Sequence, residues 1–453
     1  MTDMILERAT AALQRLRPEM PAGRISGASA AGLVAGGLAQ TARLGTRAEV
    51  LRDSGPLLAE VIRVSGPDVL LLPEGSSEGV GPGDLVRLVP APVFAPADDW
   101  IGRVIDPDGC PLDGRPLLPG LHPRSLRAAP PPAQGRRALG ARLATGYAVL
   151  DTLLPLVRGQ RVGLFAGSGV GKSTLLAGLA TGVEADVIVI GLVGERGREV
   201  RHFIDDVLGP EGMRRSVVIV AASDRAPQTR VRAAHAATAV AEHFRDSGRN
   251  VLLLLDSVTR FAEAHREISA TAGEAANLRG FPASTVPAIA TLSERAGPGG
   301  EGQGDITAVY SVLVAGSDME EPVADMLRGM LDGHIVLDRD IAEGGRFPAI
   351  DPLRSVSRSL PAAASPAENR LIAEARAHLG AYDRAAMMIR AGLYAAGSDP
   401  QIDAAVAVQP SLEEFLALRS NSADASFVAL RKALASGRQG QVEKARDPAV
   451  QAG

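Results

Sequence analysis

One short run of the chain, Ala166-Gly-Ser-Gly-Val-Gly-Lys-Ser173, has the composition that a polyphosphate demands. Glycines let successive backbone N–H groups turn toward one anion, a closing lysine reaches the β- and γ-phosphates, and the hydroxyl after it can ligate Mg²⁺. Gly167, Ser168, Gly169, Val170, Gly171, Lys172, Ser173 and Thr174 are the candidate nucleotide-binding residues. Ala166 stands where the strict pattern has its first glycine. A small residue is tolerable there, because Gly167, Gly169 and Gly171 supply the backbone freedom. The bland alternative is a glycine turn beside a solvated lysine. Context argues against it: an apolar strand, Val162 to Phe165, precedes the loop and a helical run from Thr174 follows it.

Two carboxylates extend this chemistry. The apolar run Val251-Leu-Leu-Leu-Leu ends in Asp256, where an acid at the edge of a sheet can hold the Mg²⁺ shell beside the hydroxyl of Ser173. Alone, such an aspartate would be a turn or helix cap. The run Val187 to Val193 leads into Gly194-Glu195-Arg196-Gly-Arg198. Hydrolysis needs a group that orients and polarises a water beside the γ-phosphate, and Glu195 can serve; standing alone it would be a solvated surface acid.

Such loops must be brought together by strands that end at one edge. Val162 to Phe165, Val187 to Val193, Val217 to Ala221, Val251 to Leu255 and Ile306 to Val314 alternate with helical stretches. Nearly continuous apolar strands between helices predict an α/β P-loop NTPase core, a mostly parallel sheet with helices on both faces, over 141–365. Upstream, 21–92 carries short β-rich runs at Ala48 to Leu51, Leu58 to Val64, Val69 to Leu72 and Leu85 to Leu88, broken by Gly/Pro turns. That spacing predicts a small β-barrel. Residues 93–140 read as a connecting segment with a proline-rich linker, Ala128 to Gly135, and 366–453 as a helical C-terminal domain whose last residues, from about Gln439, fray. In 1–20, Ile5, Ala9, Ala12, Leu13 and Leu16 recur at helical spacing, a short amphipathic helix that either packs on its own protein or docks a partner.

A length of 453 residues predicts two or three domains, and 46% hydrophobic with 22% charged residues can bury a substantial core. With 48 basic against 52 acidic side chains the net charge is -4, which offers no global attraction to nucleic acid or anionic lipid. Cys110 is the single cysteine, so no intramolecular disulfide forms. The start carries Asp3, Glu7, Arg8 and Arg15 rather than the apolar core of a signal peptide, and no membrane span is evident. The expected home is the cytoplasm, with any contact at a membrane peripheral.

Taken together, these residues resemble the hexameric rotary-type ATPases, which include ATP synthase catalytic subunits and type III secretion ATPases. Gly102-Arg-Val-Ile-Asp, Pro111-Leu-Asp-Gly114, Thr145-Gly-Tyr-Ala-Val-Leu-Asp151 and Arg158-Gly-Gln-Arg161 are similar to the family's approach to the phosphate loop. The resemblance puts Glu195 on the catalytic glutamate of a Gly-Glu-Arg motif and carries Arg196 into the catalytic set with it. Arg346-Phe347-Pro-Ala-Ile-Asp-Pro352 resembles the segment whose aromatic ring packs on adenine, which implies that role for Phe347. Ser355-Val-Ser-Arg358 resembles the arginine-finger motif, so Arg358 would act across a subunit boundary; Arg260 and Arg279 are weaker candidates. Asp332 to Asp338, Gly316 to Asp325 and Gly392 to Asp403 look most like the export branch, the last like flagellar ATPases. The implied activity is ATP hydrolysis by a homohexamer that energises flagellar protein export, with ATP and Mg²⁺. The implied partners are a stator-like regulatory protein at the N-terminal helix, a stalk protein in the ring pore, export chaperones with cargo, and a membrane export gate.

Four other functions compete. An injectisome-type secretion ATPase or a synthase catalytic subunit would share the fold. A Rho-type RNA translocase needs stacking aromatics, yet aromatics are 3% of the chain and Trp100 is the sole tryptophan. A catalytically dead regulatory subunit is at odds with Lys172, Glu195 and Asp256 occurring together.

Overall fold

The structure is a computed structural model that describes residues 7, 10, 20–314 and 319–446, leaving aside the side chains of Leu278 and of 437–446. The amphipathic stripe at Ile5, Ala9, Ala12, Leu13 and Leu16 and the residues from Gly316 to Asp318 lie outside the described residues.

Six strands form the first unit: β1 (Ala22–Ala28), β2 (Leu33–Gly36), β3 (Arg47–Leu51), β4 (Leu57–Ser65), β5 (Asp68–Pro73) and β6 (Leu85–Val89). They close antiparallel in the order β1-β2-β5-β4-β3-β6. Alternation turns Ile25, Leu33, Ala35, Val50, Val61, Val69, Leu71 and Val86 into one interior cluster. The sequence shows only the last four of these strands, because β1 contributes a single buried side chain, Ile25, amid glycine, serine and arginine.

The large sheet combines β7 (Arg103–Ile105), β8 (Arg161–Ala166), β9 (Val187–Val193), β10 (Ser216–Ala221), β11 (Val251–Asp256), β14 (Gly297–Pro298), β15 (Asp305–Leu313), β16 (Gly333–Leu337) and β17 (Ile350–Ser357); β12 (Ala276–Leu278) and β13 (Phe281–Pro282) pair separately. Its order is β17-β16-β8-β15-β11-β9-β10-β7, parallel from β16 to β7, with β17 antiparallel at one edge. Successive residues of each buried strand feed opposite faces. Ile188, Ile190, Leu252 and Leu254 meet the helix Lys172–Gly182 and the C-terminal helices, while Val187, Val189, Leu253 and Leu255 meet the helices Pro227–Asp246 and Val258–Thr271. β7 falls within the segment the sequence reads as a connection. It is three residues long, too short for a sequence pattern, and takes its place by pairing with β10.

Helices Pro366–Arg390, Pro400–Ala417 and Ala423–Arg446 follow. A capping box at Ser365 and Glu368 starts the first. The third continues to Arg446, past Gln439, from which the sequence suggests fraying. The stretch 128–135 holds only a short turn at Ala133–Gly135.

The barrel is tied to the core by charge. Arg232, on the helix Pro227–Asp246, reaches Glu60 at 2.9 Å, Glu74 at 2.8 Å and Asp108 at 3.1 Å, and Arg47 also pairs with Asp108. Beside them, Gln228 donates its amide to the Leu72 carbonyl at 3.1 Å.

Candidate active site

β8, β9 and β11 lie near one another in the sheet and run parallel, so their C-terminal ends open on the same edge. β8 delivers the glycine loop. Gly171, at φ 88° in the left-handed region, caps the helix Lys172–Gly182 and aims its first turn at the loop. A side chain there would also meet the Phe347 ring at 3.4 Å. β11 ends on Asp256, which is 4% exposed. β9 leads through Gly194, at φ 71°, into Glu195; an added Cβ at Gly194 would lie 3.0 Å from that of Arg260.

Lys172 joins the three. Its Nζ lies 2.6 Å from Asp256 Oδ1 and 3.5 Å from Glu195 Oε1. Ser311 on β15, fully buried, donates its hydroxyl to the same Asp256 oxygen at 2.6 Å. Glu195 is pushed up to about 7, first by burial and then by the charge of Asp256, against the opposing pull of Lys172. A carboxylate poised there exchanges a proton near neutrality, which suits a group that polarises water.

Around this centre lies a cavity of about 900 Å³ lined by Gly167, Ser168, Gly169, Lys172, Ser173, Thr174, Glu195, Arg196, Asp256 and Arg260. Arg196 stands at its mouth, its side chain 79% exposed and paired with Glu199 at 3.4 Å. Arg260 enters more deeply. Its guanidinium holds Glu263 at 2.9 Å, and its buried Nε has no partner among the described residues. Arg358 is exposed and donates to the Arg328 carbonyl at 3.2 Å; it does not line the cavity of its own chain. Arg279, at φ 49°, does not line the cavity either; it donates to the carbonyl of Glu320, next to Glu321 in the lining, at 2.5 Å.

A second pocket of about 380 Å³ adjoins the loop helix, lined by Tyr147, Gly171, Thr174, Phe347, Ala417 and Arg419 among others. The Arg419 guanidinium sits 3.9 Å from the centre of the Tyr147 ring. Backbone bonds from Ala148 to Leu418 at 3.0 Å and from Ser420 to Gly146 at 3.2 Å fasten the two segments. Sequence reasoning missed Tyr147, Ser311 and Arg419, since each owes its place to a strand or helix remote in the chain.

Among the described residues no cluster of three or more histidine, cysteine or acidic side chains could chelate a metal unaided. The donors here are one hydroxyl, Ser173, and one carboxylate, Asp256. That set fits Mg²⁺, which fills its octahedron with water and substrate phosphates.

The nucleotide-binding domain of the ATP synthase alpha/beta family matches residues 146–357, and the T3SS EscN ATPase C-terminal domain matches 364–435. The flagellum-specific ATP synthase of Caulobacter vibrioides is 45% identical over 438 residues, 94% of this chain and 98% of its own length. Among solved structures, the assembled ATPase EscN from the type III secretion system of enteropathogenic E. coli superposes with a TM-score of 0.84 at 37% identity, over 91% of this chain and all of that one. EscN in complex with its central stalk EscO matches with a TM-score of 0.80 over the same shares, again at 37% identity.

Proposed function

The chain belongs to the ATP synthase alpha/beta family, in its type III export branch, and on that premise we propose that it hydrolyses ATP as a homohexameric ring that energises bacterial flagellar protein export. The observation that carries the chemistry is Lys172, held between Asp256 and Glu195 at the end of the glycine loop. Phosphate oxygens of bound ATP take over the lysine from the two carboxylates, while backbone N–H groups from Gly167 to Thr174 bind the remaining phosphate charge. Ser173 and Asp256 would hold Mg²⁺, which supplies neutralisation of charge on the β- and γ-phosphates. Glu195 accepts a hydrogen bond from the attacking water and draws off its proton. Phe347 stacks on the base, and Arg196 borders the mouth. Arg358 of each chain serves the site of its neighbour, in keeping with its absence from its own cavity.

The export reading brings partners of stated kinds: a stalk protein in the pore, as EscO is for EscN, a stator-like protein at the N-terminal segment, chaperones with cargo, and an export gate. No described helix is long and apolar enough to cross a membrane. A cytoplasmic ring that docks peripherally at the inner membrane is the proposed setting, with no nucleic acid partner. The test has two parts. Purified chain alone should hydrolyse ATP as a homo-oligomer, and expression should restore swimming to cells that lack their flagellar export ATPase. Turnover only in a mixed ring would point to a synthase subunit, and hydrolysis without restored swimming to an injectisome.

A further inference from the structure

Phe347 is 53% exposed, with one edge of its ring facing Gly171 of the loop. Its neighbour in sequence is held firmly. The side chain of Arg346 is 11% exposed, and its Nε lies 2.7 Å from Glu413 Oε2 on the helix Pro400–Ala417. The other oxygen of Glu413 accepts the Gln409 amide at 2.8 Å, so the acid is braced from its own helix. Arg346 Nη1 is buried with no hydrogen-bond partner among the described residues; Glu413 is its direct ion pair, and the charges of Asp351 and Asp338 add to it. Glu413 and Ala417 are one turn apart on the same helix face, and Ala417 lines the pocket beside Phe347.

The pocket therefore has two owners. Tyr147, Gly171 and Phe347 come from the nucleotide-binding unit, Ala417 from a C-terminal helix and Arg419 from the connection that follows it, and Arg346 with Glu413 ties the two walls together next to the ring. We infer that Arg346 is a positioning residue for the nucleobase, acting through Phe347 and braced by Glu413, so that base affinity depends on the docking of the C-terminal helices. This rests on the reading that the loop binds ATP.

Equilibrium titration with ATP, with steady-state hydrolysis alongside, tests it. Arg346→Met should weaken ATP binding roughly 10-fold to 100-fold, the scale of a displaced positioning group, and should raise KM while leaving kcat nearly unchanged. Glu413→Gln, which keeps the shape and one acceptor, should produce a smaller loss of the same kind. Exchanging the charges, Arg346→Glu with Glu413→Arg, should recover most of the affinity. In a Phe347→Ala background Arg346→Met should add less than about twofold, because the ring through which it acts is gone. Unchanged affinity in Arg346→Met, an equal loss with and without Phe347, or a fall in kcat alone would overturn the inference. Wild-type protein that binds no ATP would instead remove the reading of the pocket.

Discussion

The Ser311 hydroxyl is bonded to Asp256 Oδ1 at 2.6 Å from the neighbouring strand, on the oxygen that also receives Lys172. Two donors on one oxygen hold the Asp256 carboxylate at the strand end beside the glycine loop. Ser311→Ala removes a hydrogen bond to a charged group, worth about 1.5–3 kcal/mol. The expected result is a roughly tenfold to hundredfold fall in turnover, with a higher Mg²⁺ concentration needed for half-maximal activity. Activity measured across a Mg²⁺ series checks both.

Lys172→Ala leaves Asp256 and Glu195 facing a cavity with no cation between them. It should abolish ATP binding in calorimetry while circular dichroism and melting remain close to wild type, since the lysine acts on the ligand and not on the core. Wild-type hydrolysis in the folded variant would dismiss the site.

Glu195 should give the reaction a pH limb. Its carboxyl titrates near 7 because burial and Asp256 oppose its charge. The ionised form accepts the water's proton, so kcat/KM should fall as pH drops below about 7, approaching tenfold per pH unit. In Glu195→Gln the limb should disappear, with ATP still bound and turnover at least about a hundredfold lower. A limb that survives the substitution belongs to another group.

Arg358 should matter only in the assembly. Activity per chain should rise with protein concentration as rings form, and Arg358→Ala should assemble, bind ATP and lose about 10³ to 10⁵ in rate. Lysine should rescue poorly, because a compact ammonium lacks the planar fork. Light scattering beside steady-state assays separates assembly from catalysis; near wild-type turnover in an assembled Arg358→Ala ring would move the finger elsewhere, with Arg260 the deeper-lying alternative.

Arg232 predicts a stability effect without a catalytic one. Arg232→Met leaves Glu60, Glu74 and Asp108 crowded with less cationic compensation, at a cost of about 3 kcal/mol, lowering the unfolding midpoint in denaturant. Hydrolysis at low temperature should persist.

The glycine loop and the ends of β9 and β11 were legible because each is a contiguous run whose apolar period and terminal residue speak for themselves. The same holds for the start of the first C-terminal helix, where Ser365-Pro366 and Glu368 form a local signal. What could not be read depends on chain closure. β1 and β2 bury too few side chains to show a pattern. Ser311 lies inside an apolar strand where a hydroxyl looks like an exception, and Arg419 meets Tyr147 only after the C-terminal helices fold back. Arg47 is buried because Asp108 comes to it from the following segment, a pairing that no local pattern announces.

The barrel has a consequence for how copies of this chain can meet. Six strands that close on themselves leave no row of unpaired N–H and C=O groups, so one barrel cannot extend the sheet of the next. Contacts between barrels must be made by side chains and loops rather than by strand pairing. Such contacts can be formed, broken and re-formed with the concentration of subunits, and the chain is spared the irreversible edge-to-edge growth that an open sheet in the same place would invite.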